Sequence, residues 1–194
     1  ANNIIVHNDS NKGGGGIDCW RESSPTITNN TISENHATYG GGGISCHERC
    51  FPKVVNTILW NNSAAAGNEV WAGTATEPSV LSIAHSNLSG GLASAYFERG
   101  SGFVIGQGII ESDPLFVDAA ADDFHLTVVS PCINAGGQGA GLELRARDFE
   151  GNDRIGLGRA DIGADEAALH LYYRGHAVPG DEISVGCIGL PGMA

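Results

Sequence analysis

Three stretches of the chain repeat each other at a fixed spacing, and a repeat of this length leaves few folds open. Gly14, Gly41 and Gly67 fall 27 and then 26 residues apart, and Ile17, Ile44 and Val70 follow the same steps. Asn8, Asn35 and Asn61 keep the register, as do Ile5, Ile32 and Ile58. So do Pro25, Pro52 and Pro78, with Ile27, Val54 and Val80 two residues after each. A period in the twenties marks a solenoid, in which each repeat is one coil and buries its apolar side chains against its neighbours. Short runs of Val, Ile and Thr bounded by Gly, Asn and Pro read as strands, and three of them with their turns fill a coil. The prediction is an all-β chain, a right-handed parallel β-helix with coils of about 26–27 residues. The columns Ile5/Ile32/Ile58 and Ile17/Ile44/Val70 are expected to point inward. The Asn column is expected to stack at a turn, where side-chain amides satisfy backbone groups of the next coil.

Composition agrees with a turn-rich β protein. Glycine occurs 29 times and charged residues make up only 16% of the chain, well under the usual quarter. The formal net charge is −12, with Lys12 and Lys53 the only lysines. Nucleic acid and anionic membranes both require clustered Lys and Arg, so neither is an expected partner. No apolar run is long enough to span a membrane. The same acidity disfavours a polyanionic sugar unless a cation helps.

Five cysteines are present: Cys19, Cys46, Cys50, Cys132 and Cys187. Cys19 and Cys46 share a register and should stack in consecutive coils, which is compatible with a disulfide or with side-by-side thiols. Cys46 and Cys50 bracket His47-Glu48-Arg49 and are placed to close a small loop. An odd count leaves at least one thiol unpaired within the chain.

The repeat region covers residues 1–110, and residues 111–166 have a different texture. That second stretch carries Asp113-Pro114-Leu115-Phe116, then Ser130-Pro131-Cys132-Ile133-Asn134-Ala135-Gly136. It continues with Asp148-Phe149-Glu150-Gly151-Asn152-Asp153-Arg154 and ends on Asp161-Ile162-Gly163-Ala164-Asp165-Glu166. The series resembles the C-terminal part of the choice-of-anchor Q family, bacterial proteins of the pectin-lyase-like β-helix class. That family shows DPLF, SPxIDAG and DxxGxxR…DIGAxE segments in this order, and Asn134 stands here where the family usually has Asp. The resemblance implies a β-helix on a secreted or cell-surface protein, with residues 111–166 closing the C-terminal end of the coils. Residues 167–194 read as a β-hairpin, the start of a further β-sandwich-like module, with Leu169 to Tyr173 and Ile183 to Val185 as its strands. Ala1 to Val6 already matches a coil strand. Its open edge is expected to be covered by earlier coils or by another copy stacked head to tail, which would build a filament.

Candidate chemistry is sparse. A polysaccharide lyase needs a basic residue and a cation or arginine to neutralise a uronate. Lys53 lies beside a stacked strand and Arg21, Arg49 and Arg99 lie on turns, in no repeated constellation. Asp122-Asp123 is a carboxylate pair without comparable partners for hydrolysis. Cys46-His47-x-x-Cys50 offers soft ligands but lacks the second pair a zinc site needs. Asp148, Glu150 and Asn152 place three oxygen ligands at alternate positions, so calcium is the one cofactor the residues suggest. The competing reading of that segment is a turn in which Asp148 pairs with Arg154. Asn29, Asn61 and Asn87 head glycosylation-type sequons that repeat chemistry explains equally well. Trp20, Trp60 and Trp71 are candidate sugar-stacking surfaces. The expected function is a non-catalytic structural or adhesive β-helix protein, outside the cell or on its surface, whose partners are a polysaccharide or neighbouring copies of itself. The alternative is a lyase or glycan-binding module acting on uronic-acid polymers.

Overall fold

The computed structural model describes residues 1–74, 76–138, 146–155 and 159–167, and the backbone of the strands Leu171–Tyr172 and Gly186–Cys187. The repeat region is a parallel β-solenoid of about three turns. Four sheets run along its axis. The first stacks Ile4–Val6, Thr31–Ser33, Ile58–Trp60 and Asn87–Leu88, and a short second one stacks Asp9–Ser10, His36–Gly40 and Ser63–Ala66. The third stacks Ile17–Cys19, Ile44–Cys46, Val70–Ala72 and Ala95–Phe97, and the fourth Thr26–Thr28, Lys53–Val55, Val80–Ala84 and Gly102–Ile105. Every pairing among these is parallel, because the chain meets itself one coil later, travelling in the same sense.

Side chains alternate between the core and the outside. Ile27, Ile32, Ile44, Val54, Leu59, Val70, Leu81, Ile83 and Leu88 fill the interior, with Cys19, Cys46 and Ala72 beside them. The predicted column Ile17/Ile44/Val70 is in register as expected. Three other columns are corrected in the third coil. Ile5 and Ile32 continue to Leu59, whereas Ile58 pairs with Thr31 and faces outward. The Asn column runs Asn8, Asn35 and Asn62, not Asn61. Ile27 and Val54 continue to Ile83, not Val80.

The physical reason is where the length changes sit. Between the second and third coils the one missing residue lies at an irregularity between Ala64 and Ala66, so columns before it keep the full step. Extra residues then fall between Ala72 and Val80, where Thr74 and Glu77 close a turn on each other. A one-residue error in register turns a side chain to the opposite face.

Turn glycines at Gly14, Gly41 and Gly67 all hold positive φ (66°, 67° and 60°), which a side chain there would strain. The Asn ladder works as a chain of donors. Asn8 N and Nδ2 both donate to Asn35 Oδ1 (3.0 and 2.8 Å), and Asn35 N and Nδ2 both donate to Asn62 Oδ1 (3.0 Å each). It ends on a carboxylate: Asn62 N and Nδ2 donate to Glu69 Oε1 and Oε2 (3.2 and 2.6 Å).

The described residues between 110 and 167 lie along the outside of the first sheet. Leu88 N donates to Ile110 O, and the antiparallel strands Phe116–Asp118 and Asp123–Leu126 follow. Leu126, Cys132 and Ile162 then pack on Ile58, which is why an outward isoleucine is 0% exposed. The contact continues to the first coils, with Ala164 N donating to Thr31 Oγ1 and Arg154 Nη2 to Asn2 Oδ1. The sequence places this region at the end of the stack; the structure lays it along the flank. The motif residues hold it together. Ser130 Oγ donates to Pro114 O, and Asp161 Oδ1 and Oδ2 accept from Asn134 N and Ala167 N. Arg154, fully buried, donates to Gly163 O and Ala164 O and lies 3.6 Å from Glu166 Oε2. In the competing reading of the 148–154 segment Arg154 pairs with Asp148; its ion-pair partner here is Glu166. Beyond the flank, Leu171–Tyr172 pairs antiparallel with Gly186–Cys187; the predicted strand Ile183 to Val185 lies outside the described residues.

Candidate functional site

On the third sheet aromatic and polar side chains converge on a groove. Cys19, Cys46 and Ala72 point inward from it, so the residues before them, Asp18, Ser45 and Trp71, form an outward column in register. One position on, Trp20 and His47 fall in the next coil-to-coil column. Glycines on the neighbouring turn leave room for the rings. A Cβ on Gly40 would lie 2.6 Å from the Trp71 ring, and one on Gly13 would lie 3.2 Å from His47 Nε2.

His47 is stacked between two indoles. Its ring centroid is 4.7 Å from Trp20 and 4.6 Å from Trp71, with interplanar angles of 36° and 40°. These distances match the rise from one coil to the next, so the three rings climb the solenoid as a ladder. Lys12, Tyr39 and Asp18 complete a groove of about 400 Å3. Trp20 and Tyr39 are both exposed at its mouth.

The polar centre is Asp18. Its Oδ1 accepts from Ser45 Oγ (2.9 Å) and lies 3.2 Å from His47 Nε2, and Ser45 Oγ is itself hydrogen-bonded to His47 Nε2. Partial burial opposes the Asp18 charge, but the bonds from His47 and Ser45 outweigh it and hold the carboxyl below its ordinary value. Serine and aspartate both address the same ring nitrogen. A nucleophilic relay needs them on opposite nitrogens, so this is not a catalytic triad. What the groove offers is an aromatic wall beside an ionised hydrogen-bond acceptor.

The other candidates are dispersed. Lys53 belongs to the fourth sheet, paired with Thr26 and Ser82, away from the groove. Arg21 pairs with Glu48 (3.3 Å), and Arg49 with Glu22 and Glu77 (2.8 and 3.3 Å). Asp122 meets His7 and Asp123 meets His125, so the carboxylate pair is split between separate partners. Trp60 joins the cluster beneath the flank and not the groove.

Cys19, Cys46 and Cys50 are buried free thiols, and so is Cys132. Cys46 is held well above its ordinary pKa by its hydrogen bond to Cys19 and by burial. Cys50 Sγ donates to His47 O (2.8 Å) and touches Ser23 Oγ. Cys46 and Cys50 thus both belong to the core while His47 faces the groove, so the three do not form one ligand set.

Asp148 Oδ1 accepts from the backbone N–H groups of Glu150, Gly151 and Asn152 (2.9, 2.8 and 2.8 Å). Asn152 turns its Nδ2 to Asp148 Oδ2 (3.0 Å). Burial opposes the Asp148 charge, yet these bonds hold its pKa below the ordinary value. The three predicted calcium ligands therefore build a tight turn on Asp148.

Asp18, Ser45 and Tyr39 were not legible as site residues, although the outward column beside Cys19 and Cys46 was the signal that would have found the first two. No family model, curated protein or solved structure matches the chain.

Proposed function

We propose that the chain is a non-catalytic, secreted or cell-surface β-helix protein of the pectin-lyase-like kind that binds a neutral polysaccharide along the third sheet. The observation that carries this reading is the Trp20–His47–Trp71 ladder over the Asp18 groove. Indole rings supply apolar faces to sugar C–H groups, and a fixed carboxylate accepts from sugar hydroxyls. The net charge of −12 argues for an uncharged polymer over a uronate.

Tryptophan fluorescence during titration with soluble glucans, mannans and galactans, beside uronic-acid polymers with calcium, tests the reading. A neutral polymer is expected to shift the emission, and Trp71→Ala to weaken its binding by about tenfold, the equivalent of one stacked ring. Binding indifferent to both Trp20→Ala and Trp71→Ala would sink it. Unsaturated product formed from a uronic-acid polymer would replace it with the lyase reading.

A further inference from the structure

A second group of side chains converges in the flank, far in sequence from the groove. His125 projects from the strand Asp123–Leu126, Glu150 from the turn built on Asp148, and Asp165 from the segment that packs on the first sheet. Their ligand atoms all lie within 4.8 Å of one another.

The imidazole is oriented from behind. His125 Nδ1 lies 2.5 Å from Asp123 Oδ1, and His125 Nε2 lies 3.2 Å from Glu150 Oε1. A carboxylate on Nδ1 holds the proton there and turns the Nε2 lone pair outward, the arrangement that metal-ligating histidines use. Phe149 packs on the same ring, with centroids 5.4 Å apart, and limits its rotation. Asp165 is only 4% exposed. Its Oδ2 accepts from Leu126 N (2.8 Å), while among the described residues its Oδ1 has no hydrogen-bond partner.

We propose that His125, Glu150 and Asp165 bind one divalent transition-metal ion of the zinc class, with Asp123 as the residue that positions His125. One nitrogen and two carboxylates suit Zn2+ or Mn2+, whereas calcium takes oxygen ligands alone. Bonds of about 2.0–2.2 Å bring neighbouring ligands closer than they stand here, and the exposed Glu150 side chain on its turn supplies that movement. The ion would tie the hairpin, the 146–153 turn and the 159–167 segment to one point.

The test uses the full chain, dialysed against a chelator and titrated with Zn2+ by calorimetry, with Co2+ as the spectroscopic probe. Expected are one equivalent bound, visible Co2+ absorption from a low-symmetry site and a rise in melting temperature. His125→Ala should abolish binding, and Asp123→Asn should weaken it about 10- to 100-fold. Glu150→Gln alters a side chain already in solvent, so it folds and should still lose at least tenfold. Failure of the wild type to bind Zn2+ overturns the proposal. So does Zn2+ binding untouched by Glu150→Gln and His125→Ala, which would place the ion on the thiols. Binding of Ca2+ but not Zn2+ overturns it as well.

Discussion

The coil stack and the flank bury similar polar groups by opposite means. In the coils the buried polar side chains are mainly amides and hydroxyls, and the regular columns among them are satisfied by their counterparts one turn away. Asn8, Asn35 and Asn62 are one such column, and Asn3 donates to Asn30 Oδ1 (3.0 Å) in another. The flank has no neighbour of its own kind and uses charges. Arg154, Asp148, Asp161, Asp165 and Glu166 are all buried there. Burial pushes the Asp165 carboxyl up to about 6 and Glu166 up to about 8, against the pull of the nearby His125 and Arg154. Repetition satisfies buried groups cheaply because one solution serves every turn. A single-copy segment must solve each group separately, and charge reaches further than an amide does.

The largest test places a charge where the coils use none. Val54 is fully buried between Ile27 and Ile83. Val54→Asp should cost about 5 kcal/mol or more, enough to remove the cooperative transition in a urea titration. Val104→Asp, on an exposed position of the same sheet, should change stability by about 0.5 kcal/mol or less. A similar loss from both would mean the solenoid interior is not a packed core.

Arg154→Ala should come next, at about 3–5 kcal/mol, because it leaves Glu166 buried beside unpaired carbonyls. The comparison becomes sharper in hydrogen exchange. Protection should vanish at Leu126 and Ile162, whose amides anchor the flank, while Ile44 and Val70 keep theirs. Simultaneous loss in both regions would show one cooperative unit in place of two.

The same contrast explains what could be read in advance. A period is visible without knowing any contact, and it placed the sheets, the turn glycines and the column Ile17/Ile44/Val70 correctly. It slipped where adjacent residues are chemically equivalent. Ile58 and Leu59 are both apolar and Asn61 and Asn62 are both Asn, so nothing in their identity chose between two registers one residue apart. Pro78 repeated the pattern of Pro25 and Pro52 although the turn before it had lengthened. The groove was half legible. Trp20 and Trp71 stood out as aromatics, but they meet only through His47, which keeps the register of Trp20 while differing from it in residue type, so no column of like residues marks it. The flank cluster joins residues 125, 150 and 165, a distance that no local pattern spans.

Glu69 is the exception that tests the comparison from within the coils. It is the carboxylate that ends the Asn ladder, and it is 1% exposed. Burial raises its pKa from 4.5 to about 7, outweighing the two bonds from Asn62. The folded value exceeds the unfolded one, so the folded state holds the proton more tightly. Its contribution to stability is complete below pH 4.5 and is lost as pH rises to about 7. A rise of this size corresponds to roughly 3 kcal/mol across the window. Urea midpoints of the wild type and Glu69→Gln, followed from acid to neutral pH, should diverge by that order, the wild type losing more. Parallel curves would assign the pH dependence to the flank carboxylates instead.

The smallest expected effect concerns position along one ladder. Asn35 sits in its middle, fully buried, accepting two bonds from Asn8 and donating Nδ2 to Asn62 Oδ1 and Ile5 O (3.0 and 2.9 Å). Asn35→Ala removes the Nδ2 donor from the buried Ser33 carbonyl and from Asn62 Oδ1 and should cost about 2 kcal/mol. Asn8 occupies the exposed step. Its side chain donates to Asn35 Oδ1 and Val6 O, but solvent reaches these groups and can replace it. Asn8→Ala should therefore cost only about 0.5–1 kcal/mol, a single net hydrogen bond. If the ladder were a row of equivalent bonds, the two substitutions would cost the same. If each step polarises the next, the gap between them should exceed what burial alone provides, and the double variant should fall short of the sum. Chemical denaturation of both single variants and the double variant distinguishes the cases. Equal losses at Asn8 and Asn35 would remove the distinction between buried and exposed steps on which the ladder's role in the coils rests.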